Sequence, residues 1–131
     1  MKEPVWLTKQ IIEAIHISQI QEHGGRHGVR DKNLMASALA RPMNRWAYEQ
    51  SDIITLAAVF GYGLAKNYCF MDGNKGVAFM AMYTFLGING FEIDVTEPEV
   101  VDLMLGVAAD NISEEQLIRW LRMHVIGTNN K

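Results

Sequence analysis

The sequence predicts an all-α domain, a compact bundle of about six helices. Residues 53–65 and residues 77–86 carry no charged side chain, and each stretch is apolar around its whole helical circumference. That pattern is typical of a helix buried on all sides. Signals for helix starts and ends recur along the rest of the chain, so we expect the other helices to pack around this buried pair.

The first helix is bounded by recognisable caps. Thr8 is placed to cap a helix that runs to about Glu22, and Gly24 with the glycine after it ends that helix. His16 lies on or beside the apolar stripe of this helix. We interpret His16 as a hydrogen-bonded structural histidine and not as a catalyst, because no partner motif lies near it in the sequence.

A second, shorter helix is predicted after Asp31, which is placed to cap it. It runs through Leu39, and Pro42 is expected to close it. Residues 43–49 show weak alternation, two aromatic side chains and no helical period. We therefore interpret residues 43–49 as extended chain.

The buried pair is predicted to span roughly residues 52–66 and 74–88. Gly61 and Gly63 would weaken an isolated helix, so we expect them to allow close approach to a neighbouring helix. Three methionines in or just before the second helix of this buried pair are predicted to fill irregular gaps in the core: Met71, Met80 and Met82.

The C-terminal third begins with residues 91–95, which alternate apolar and acidic side chains like a short edge strand. Two capping boxes follow and predict helices to about residues 109 and 124: Thr96 with Glu99, and Ser113 with Gln116. Residues 127–131 should be frayed.

Length and composition set limits on the class of protein. The chain of 131 residues fits one domain, residues 1–131. Its net charge of −3 argues against a nucleic-acid-binding protein, and its apolar runs are too short to cross a membrane. No signal peptide is apparent, and the single cysteine, Cys69, is expected to be a small buried residue in a cytoplasmic protein.

Five basic residues nevertheless fall close together in the first half of the chain: Arg26, Arg30, Lys32, Arg41 and Arg45. They are either solvated surface or a set of charges that steers a phosphate ligand or an acidic partner. The sequence leaves both interpretations open.

A short polar stretch, residues 67–76, separates the two buried helices. Asn74 suits the N-cap of the second buried helix, predicted at residues 74–88. Gly73 lets the backbone turn so that several N–H groups point outward together. Such a helix start favours a phosphate group. Lys75 adds a positive charge, and Asp72 offers an oxygen ligand of the kind that Mg²⁺ prefers. The stretch is therefore either a nucleotide-phosphate site or only a turn with a helix cap.

The same stretch, Asn67-Tyr68-Cys69-Phe70-Met71-Asp72-Gly73-Asn74-Lys75-Gly76, resembles the signature of the Fic/Doc family, His-x-Phe-x-(Asp/Glu)-(Gly/Ala)-Asn-(Gly/Lys)-Arg. Phe70 and the run from Asp72 to Lys75 match in register. Tyr68 stands at the position of the family histidine, and Gly76 at that of the family arginine. Residues 24–31 and 84–90 resemble the Doc branch of this family.

The resemblance implies a role for each matched position. Asp72 would hold Mg²⁺, the amides around Gly73 and Asn74 would cradle phosphate, and Lys75 would add charge. The base expected at position 68 and the bidentate cation expected at position 76 are absent. Tyrosine is mostly protonated at neutral pH, and glycine cannot replace an arginine. We therefore expect the catalytic activity of this chain to be impaired.

The Doc branch implies the toxin of a toxin–antitoxin pair. The implied activity is ATP-dependent phosphorylation of a translation elongation factor, elongation factor Tu, and the implied partner is a small Phd-like antitoxin. Two alternatives stay open. The chain is a protein adenylyltransferase, or it is a noncatalytic module that binds its antitoxin.

The resemblance also implies a β-hairpin flap beside the active site that holds the target protein by strand pairing. In this sequence the flap would fall on residues 43–49. Its four candidate residues are Arg45, Trp46, Ala47 and Tyr48. The two aromatic side chains would equally serve as packing residues.

Overall fold

The computed structural model describes residues 2–127 and contains six helices and two short strands in that range. The elements, in chain order, are α1 (Lys9–His23), α2 (Lys32–Glu49), α3 (Ile53–Asn67), α4 (Asn74–Ile88), β1 (Phe91–Ile93), α5 (Glu97–Ala108), α6 (Glu114–His124) and β2 (Val125–Gly127). The all-α class with a small antiparallel sheet is confirmed. The bounds of α4 are the predicted ones.

Helices α3 and α4 form the centre of the core. Ten of the fifteen residues of α3 are buried. A Cβ atom on Gly61 would lie 2.5 Å from Cγ of Met82, so the glycine lets the Met82 side chain pack directly on α3. The rings of Phe60 and Phe85 meet across the same interface, with centroids 5.1 Å apart. The predicted role of Gly61 in close helix packing is confirmed.

Helix α4 is not buried on all sides, and this part of the prediction was wrong. Its Val77, Ala81 and Phe85 face the core, but 45% of Tyr83 is exposed and Met80 is half-buried. An apolar side chain is therefore not proof of an inward position, because folded proteins keep much apolar surface. Met71 was predicted to fill the core, but it lies at the surface with 36% of its area exposed.

Helix α2 is longer than the sequence indicates, and the extended flap at residues 43–49 was a wrong prediction. Pro42 is buried inside the helix and does not end it. The reason is the apolar face of α2, on which Met35, Ala38 and Pro42 are buried and Trp46 packs against the core. This face follows the helical period past the proline and offsets the backbone hydrogen bond that proline cannot make.

The only strands in residues 2–127 lie elsewhere. Strand β1 pairs with β2 in antiparallel register, with Phe91 opposite Gly127 and Ile93 opposite Val125. The predicted edge strand is thus confirmed over Phe91–Ile93. Gly127 was predicted to fray but belongs to β2. The rest of that predicted tail, residues 128–131, lies outside the described residues.

Most predicted caps are present. Thr8 and Asp31 accept hydrogen bonds from the first turns of α1 and α2, as predicted. Asp52, which was not predicted as a cap, does the same for α3. Both capping boxes, at the starts of α5 and α6, are formed. The helix starts that the sequence indicates most strongly are therefore the ones that fold locally as expected.

The start of α3 is also tied to α6. Arg122 donates to Asp52 through two nitrogens, at 2.7 and 3.2 Å, and to the hydroxyl of Thr55 at 2.9 Å. Partial burial acts to raise the pKa of Asp52, but the hydrogen bonds from Arg122 and Thr55 outweigh it and leave that pKa below its ordinary value. This contact joins the start of α3 to α6.

We expect Asp52→Asn to lower the free energy of unfolding by about 0.5–1 kcal/mol at pH 7, because asparagine keeps a capping oxygen but loses the ion pair. The lowered pKa contributes stability that is complete above the unfolded value, near pH 4, and is lost progressively as the pH falls through the lower folded pKa. Urea unfolding at pH 7 and pH 3 measures the difference. Asp31→Asn, which also keeps a cap, is the control; an undiminished difference at pH 3 would contradict the ion-pair assignment.

Candidate functional site

The linking loop, residues 68–73, joins α3 to α4 and is held by a second loop, residues 24–31. The N–H of Met71 donates to the carbonyl of Gly28 at 3.0 Å, and the N–H of Arg30 donates to the carbonyl of Cys69 at 2.7 Å. Val29 and Phe70 form an antiparallel bridge between these bonds. Two of the three stretches that carry the family resemblance, residues 24–31 and 67–76, are therefore in direct contact.

Arginine side chains strengthen this contact. Arg30 donates to the carbonyls of Tyr68, at 2.6 Å, and Asn67, at 3.0 Å, at the C-terminal end of α3. A cation at this end of a helix satisfies carbonyls that have no partner within the helix. Arg41 and Arg45 of α2 pair with Glu114 of α6. Arg26 contacts Asp72, as described below. Four of the five clustered basic residues therefore make contacts within the protein.

Asn74 has a different role from the predicted one. It is the first residue of α4, and the N-cap is Gly73, which provides no side-chain hydrogen bond. The Asn74 side chain turns back instead, accepting from the N–H of Phe70 and donating to its carbonyl, both at 3.0 Å. Its carboxamide therefore braces the linking loop and leaves the start of α4 uncapped.

The uncapped helix start forms a cradle of backbone N–H groups. Gly73 adopts the left-handed conformation, with φ of 82°, and right-handed helix follows at once. The N–H groups of Gly73, Asn74, Lys75 and Gly76 find no protein acceptor among residues 2–127. A change of handedness between neighbouring residues turns successive N–H groups toward one point, where an anion fits.

Asp72 lies directly before the cradle. Its Oδ2 accepts from the N–H of Arg26 at 2.6 Å, and the Arg26 guanidinium lies 3.5 Å from the same oxygen. The backbone hydrogen bond from Arg26, followed by its side chain, holds the pKa of Asp72 below its ordinary value despite some desolvation. The carboxylate is therefore ionised at neutral pH, and its Oδ1 has no hydrogen-bond partner in the described residues.

The donor set suits Mg²⁺ only in part. Within residues 2–127 no cluster of three or more His, Cys, Asp or Glu side chains could hold a metal ion. Asp72 alone would supply one carboxylate oxygen. A single carboxylate oxygen is compatible with Mg²⁺, which commonly binds one or two protein carboxylates and completes its coordination shell with water and substrate phosphates.

Tyr68 occupies the position of the missing base. It ends α3 in the left-handed conformation, with φ of 50°, and 45% of its area is exposed. Bulky side chains seldom adopt this conformation, whereas histidine adopts it several times more often than most residues. The backbone at position 68 therefore suits a histidine at least as well as the tyrosine it carries.

Gly76, at the position of the missing arginine, is covered by Gln19 from α1. A Cβ atom on Gly76 would lie 3.1 Å from Cδ of Gln19 and still closer to its Oε1. Any side chain at position 76 must therefore displace the end of the Gln19 side chain. No motif in the sequence points to Gln19, because its role depends only on how α1 packs against α4.

His16 lies beneath the linking loop. It is buried, its ring stacks on that of Phe70 with centroids 4.1 Å apart, and its Nε2 lies 3.1 Å from the carbonyl oxygen of Asp72. Burial lowers the pKa of His16, against an opposing effect of the Asp72 carbonyl. The predicted hydrogen bond of His16 is confirmed. Its position at the loop was missed, because 56 residues separate the two partners.

Cys69 is fully buried, and burial raises the pKa of its thiol to about 11. It therefore remains protonated and is a poor nucleophile at neutral pH. The prediction of a small buried residue is confirmed.

A groove of about 760 Å³ opens beside the cradle, between α1, α4 and α5. Its floor and far wall are largely apolar and include Phe79, Met80, Tyr83, Val101, Met104 and Leu105. Its near end contains residues 73–76 of the cradle and Glu22 of α1. The exposed face of α4 is thus one wall of a continuous depression that begins at the candidate phosphate site.

The four residues assigned to the target flap lie in the last turns of α2. Tyr48 is 90% exposed, and Arg45 pairs with Glu49 at 2.7 Å. At 1.5 Å per residue, Tyr48 lies about 25 Å along α2 from Asp31, which adjoins the linking loop. The structure does not bring these residues to the cradle. Whether they contact a target protein stays a prediction.

The chain belongs to the Fic/DOC family, whose model matches residues 6–86 and so includes the linking loop and the cradle. It is 38% identical over 91 residues to Toxin Doc from Mycolicibacterium smegmatis, an alignment covering 65% of this chain and 68% of that protein. In residues 2–127 no helix is both long enough and apolar enough to cross a membrane.

We expect Asn74→Ala to lower the free energy of unfolding by about 1–3 kcal/mol, because it leaves two polar groups of the Phe70 backbone without partners. Chemical denaturation measures this loss. Asn89→Ala is a matched control, since the Asn89 side chain also bonds to backbone groups, of Val5 and Phe85, but away from the site. A broadened Phe70 amide signal only in Asn74→Ala is expected; unchanged stability and an unchanged signal would contradict the bracing role.

Proposed function

We propose that this protein is the toxin of a Phd/Doc-type toxin–antitoxin pair, and that its transfer chemistry is impaired as the sequence stands. Membership of the Fic/DOC family and the similarity to Toxin Doc support the first part. One observation carries the proposed site: the uncapped first turn of α4 lies beside the Asp72 carboxylate. Backbone N–H groups and the positive end of a helix both favour phosphate there.

The proposed reaction, in the cytoplasm, is transfer of the γ-phosphoryl group of ATP to a hydroxyl group of elongation factor Tu. The cradle would hold phosphate oxygens, and exposed Lys75 would add positive charge beside it. Asp72 would hold Mg²⁺, which neutralises phosphate charge when it is bound. Catalysis of this kind depends mainly on positioning and electrostatic stabilisation, the two functions that these residues are suited to supply.

Two functions are lacking. A base must accept the proton of the attacking hydroxyl, and Tyr68 is a poor substitute for the family histidine. A bidentate cation would grip the phosphate, and Gly76 has no side chain. The cradle is retained but the base and the cation are missing, and this combination supports the proposal of an impaired enzyme.

The groove supports a partner as well as a substrate. A Phd-like antitoxin would lay an amphipathic helix into it, with apolar side chains against the α4 and α5 walls. The groove begins at the cradle, so a bound helix would also restrict access to the phosphate site.

A noncatalytic antitoxin-binding module is the second candidate. The fit of Gln19 against Gly76 favours it, because the present side chains fill the place where the arginine would begin. In that case the groove would retain its partner while the cradle does no transfer.

The double change Tyr68→His with Gly76→Arg is expected to restore ATP-dependent labelling of a bacterial protein and growth arrest. Neither single change should suffice, because each restores only one of two missing functions. Labelling with ATP and Mg²⁺ is the measurement, and the double variant with Asp72→Asn is the inactive control. A folded double variant that labels nothing and leaves growth unaffected would contradict the proposed active ancestor.

Lys75 is expected to determine which phosphate is transferred. Its side chain and charge beside the cradle should disfavour seating the α- and β-phosphates there, so the γ-phosphate would face the base. The repaired protein should transfer label from γ-labelled and not α-labelled ATP, and adding Lys75→Gly should weaken this preference. Transfer of α-label with Lys75 intact would identify an adenylyltransferase instead.

The unrepaired protein is expected to bind the C-terminal peptide of the antitoxin encoded beside it, with a binding free energy of about −6 kcal/mol or stronger. Leu105→Glu, in the groove and 52% exposed, should weaken this binding at least about tenfold. Met123→Glu, 82% exposed outside the groove, is the matched control. Calorimetry measures both; no detectable binding at tens of micromolar would contradict the partner assignment.

A further inference from the structure

The side chain of His16 is the only polar group on α1 that is buried beneath the linking loop in the described part of the chain. Only 3% of its area is exposed. It lies on the same face of α1 as the buried Ile12 and Ile20. Its ring is nearly parallel to that of Phe70, at 11°, and edge-on to that of His27, with centroids 6.3 Å apart.

The hydrogen bond to Asp72 fixes which ring nitrogen carries the proton. Nε2 lies 3.1 Å from the carbonyl oxygen of Asp72, and a carbonyl oxygen can only accept. Nε2 is therefore the donor. An apolar residue would stack on Phe70 just as well and would avoid burying polar atoms, so the N–H is the distinctive contribution of histidine here.

This bond has a geometric consequence for the next residue. No peptide bond between described residues is cis, so the carbonyl of Asp72 and the N–H of Gly73 belong to one planar trans unit and point in opposite directions. The His16 bond draws the carbonyl inward, toward α1. The N–H of Gly73 is thereby turned outward, and it is one of the four cradle groups without a protein acceptor in residues 2–127.

Packing around the same peptide leaves little room for another arrangement. A Cβ atom on Gly73 would lie 3.3 Å from Cδ1 of Ile20 and 3.9 Å from the His16 ring. A Cβ atom on Gly25 would lie 3.0 Å from Cβ of Asp72. Helix α1 thus packs closely against Gly73, the 24–31 loop packs against the Asp72 side chain, and His16 supplies the polar contact to the peptide between them.

We propose that His16 is a positioning residue for the phosphate cradle: by holding the Asp72 carbonyl, it orients the Gly73 N–H toward a bound phosphate. The inference rests on the proposed function of the cradle. His16 does not touch the phosphate itself. Its effect on ligand binding passes through the peptide between Asp72 and Gly73.

Two substitutions separate the donor from the ring. His16→Phe keeps an aromatic ring against Phe70 and removes the N–H. His16→Gln removes the ring and keeps an N–H donor of similar reach. Ile12→Val, on the same buried face of α1 but away from the loop, is the control for a general loss of packing.

The first measurement is the amide NMR signal of Gly73 in the protein without nucleotide. It should broaden or split in His16→Phe, because the peptide plane is no longer held, and remain single in His16→Gln and Ile12→Val. The second measurement is calorimetric titration with ATP and Mg²⁺. Binding should weaken about tenfold in His16→Phe and less than about threefold in His16→Gln, the size expected for one lost hydrogen bond.

Three outcomes would overturn the inference. A Gly73 signal and ATP affinity in His16→Phe that match the unsubstituted protein would show a purely structural role. Equal losses in folded His16→Phe and His16→Gln would show that the donor is not responsible. An equal loss in Ile12→Val would assign the effect to packing. If the unsubstituted protein binds no ATP, the proposed ligand is wrong, and the Gly73 signals alone still decide the role of His16.

Discussion

The contact between the Asn74 carboxamide and the backbone of Phe70 is the constraint on which the site depends. Phe70 is almost fully buried in a loop that has no regular secondary structure to pair its N–H and carbonyl. An unpaired buried backbone group costs about as much as a lost hydrogen bond, so both groups need partners. Asn74 satisfies both at once. Because that side chain is engaged, it cannot cap α4, and the N–H groups of the first turn stay open.

The rest of the domain keeps this arrangement in place. The Met82 side chain packs directly on Gly61, where a Cβ atom would force it to move, so α3 and α4 lie close together here. The linking loop therefore spans two helix ends whose positions are fixed by the core. The second loop, residues 24–31, then pairs with it edge to edge, and Arg30 satisfies the carbonyls at the end of α3. A rigid scaffold of this kind is what a preorganised binding site requires.

The sequence predicted those features that depend on neighbouring residues. The capping boxes at Thr96 and Ser113 are local, and both formed as predicted. The end of α2 was mispredicted because Pro42 is a strong local signal, while the burial that overrides it comes from packing against α3. The exposed face of α4 was missed for a related reason. Its apolar side chains were predicted to be buried in the core. Only the position of α5 shows that some of them line a groove.

The candidate site was predictable in its residue types but not in its connections. The resemblance identified Asp72, Gly73 and Asn74, yet the sequence placed Asn74 in the cap. It gave no sign of Gln19 and did not show which partner His16 would contact. Those two residues reach Asp72 and Gly76 from α1, across more than fifty positions, and no periodicity or spacing encodes either contact. Both contacts arise only when α1 packs against the linking loop and the start of α4.

The retained motif residues do not all argue equally for a phosphate ligand. Asp72 accepts from the backbone of Arg26, Asn74 braces Phe70, and Gly73 adopts a left-handed turn, so each contributes to the fold even without a ligand. Lys75 differs from them: it is exposed, and its side chain forms no hydrogen bond or ion pair with the described residues.

A positive side chain at the start of a helix is unfavourable for the helix itself, because it faces the positive end of the helix dipole. Folding therefore gives no reason for a lysine at position 75. A bound phosphate would reverse the sign of that interaction and supply the reason. The fold uses the three neighbouring motif residues but has no use for Lys75. Lys75 is therefore a stronger argument for an anionic ligand than those three residues.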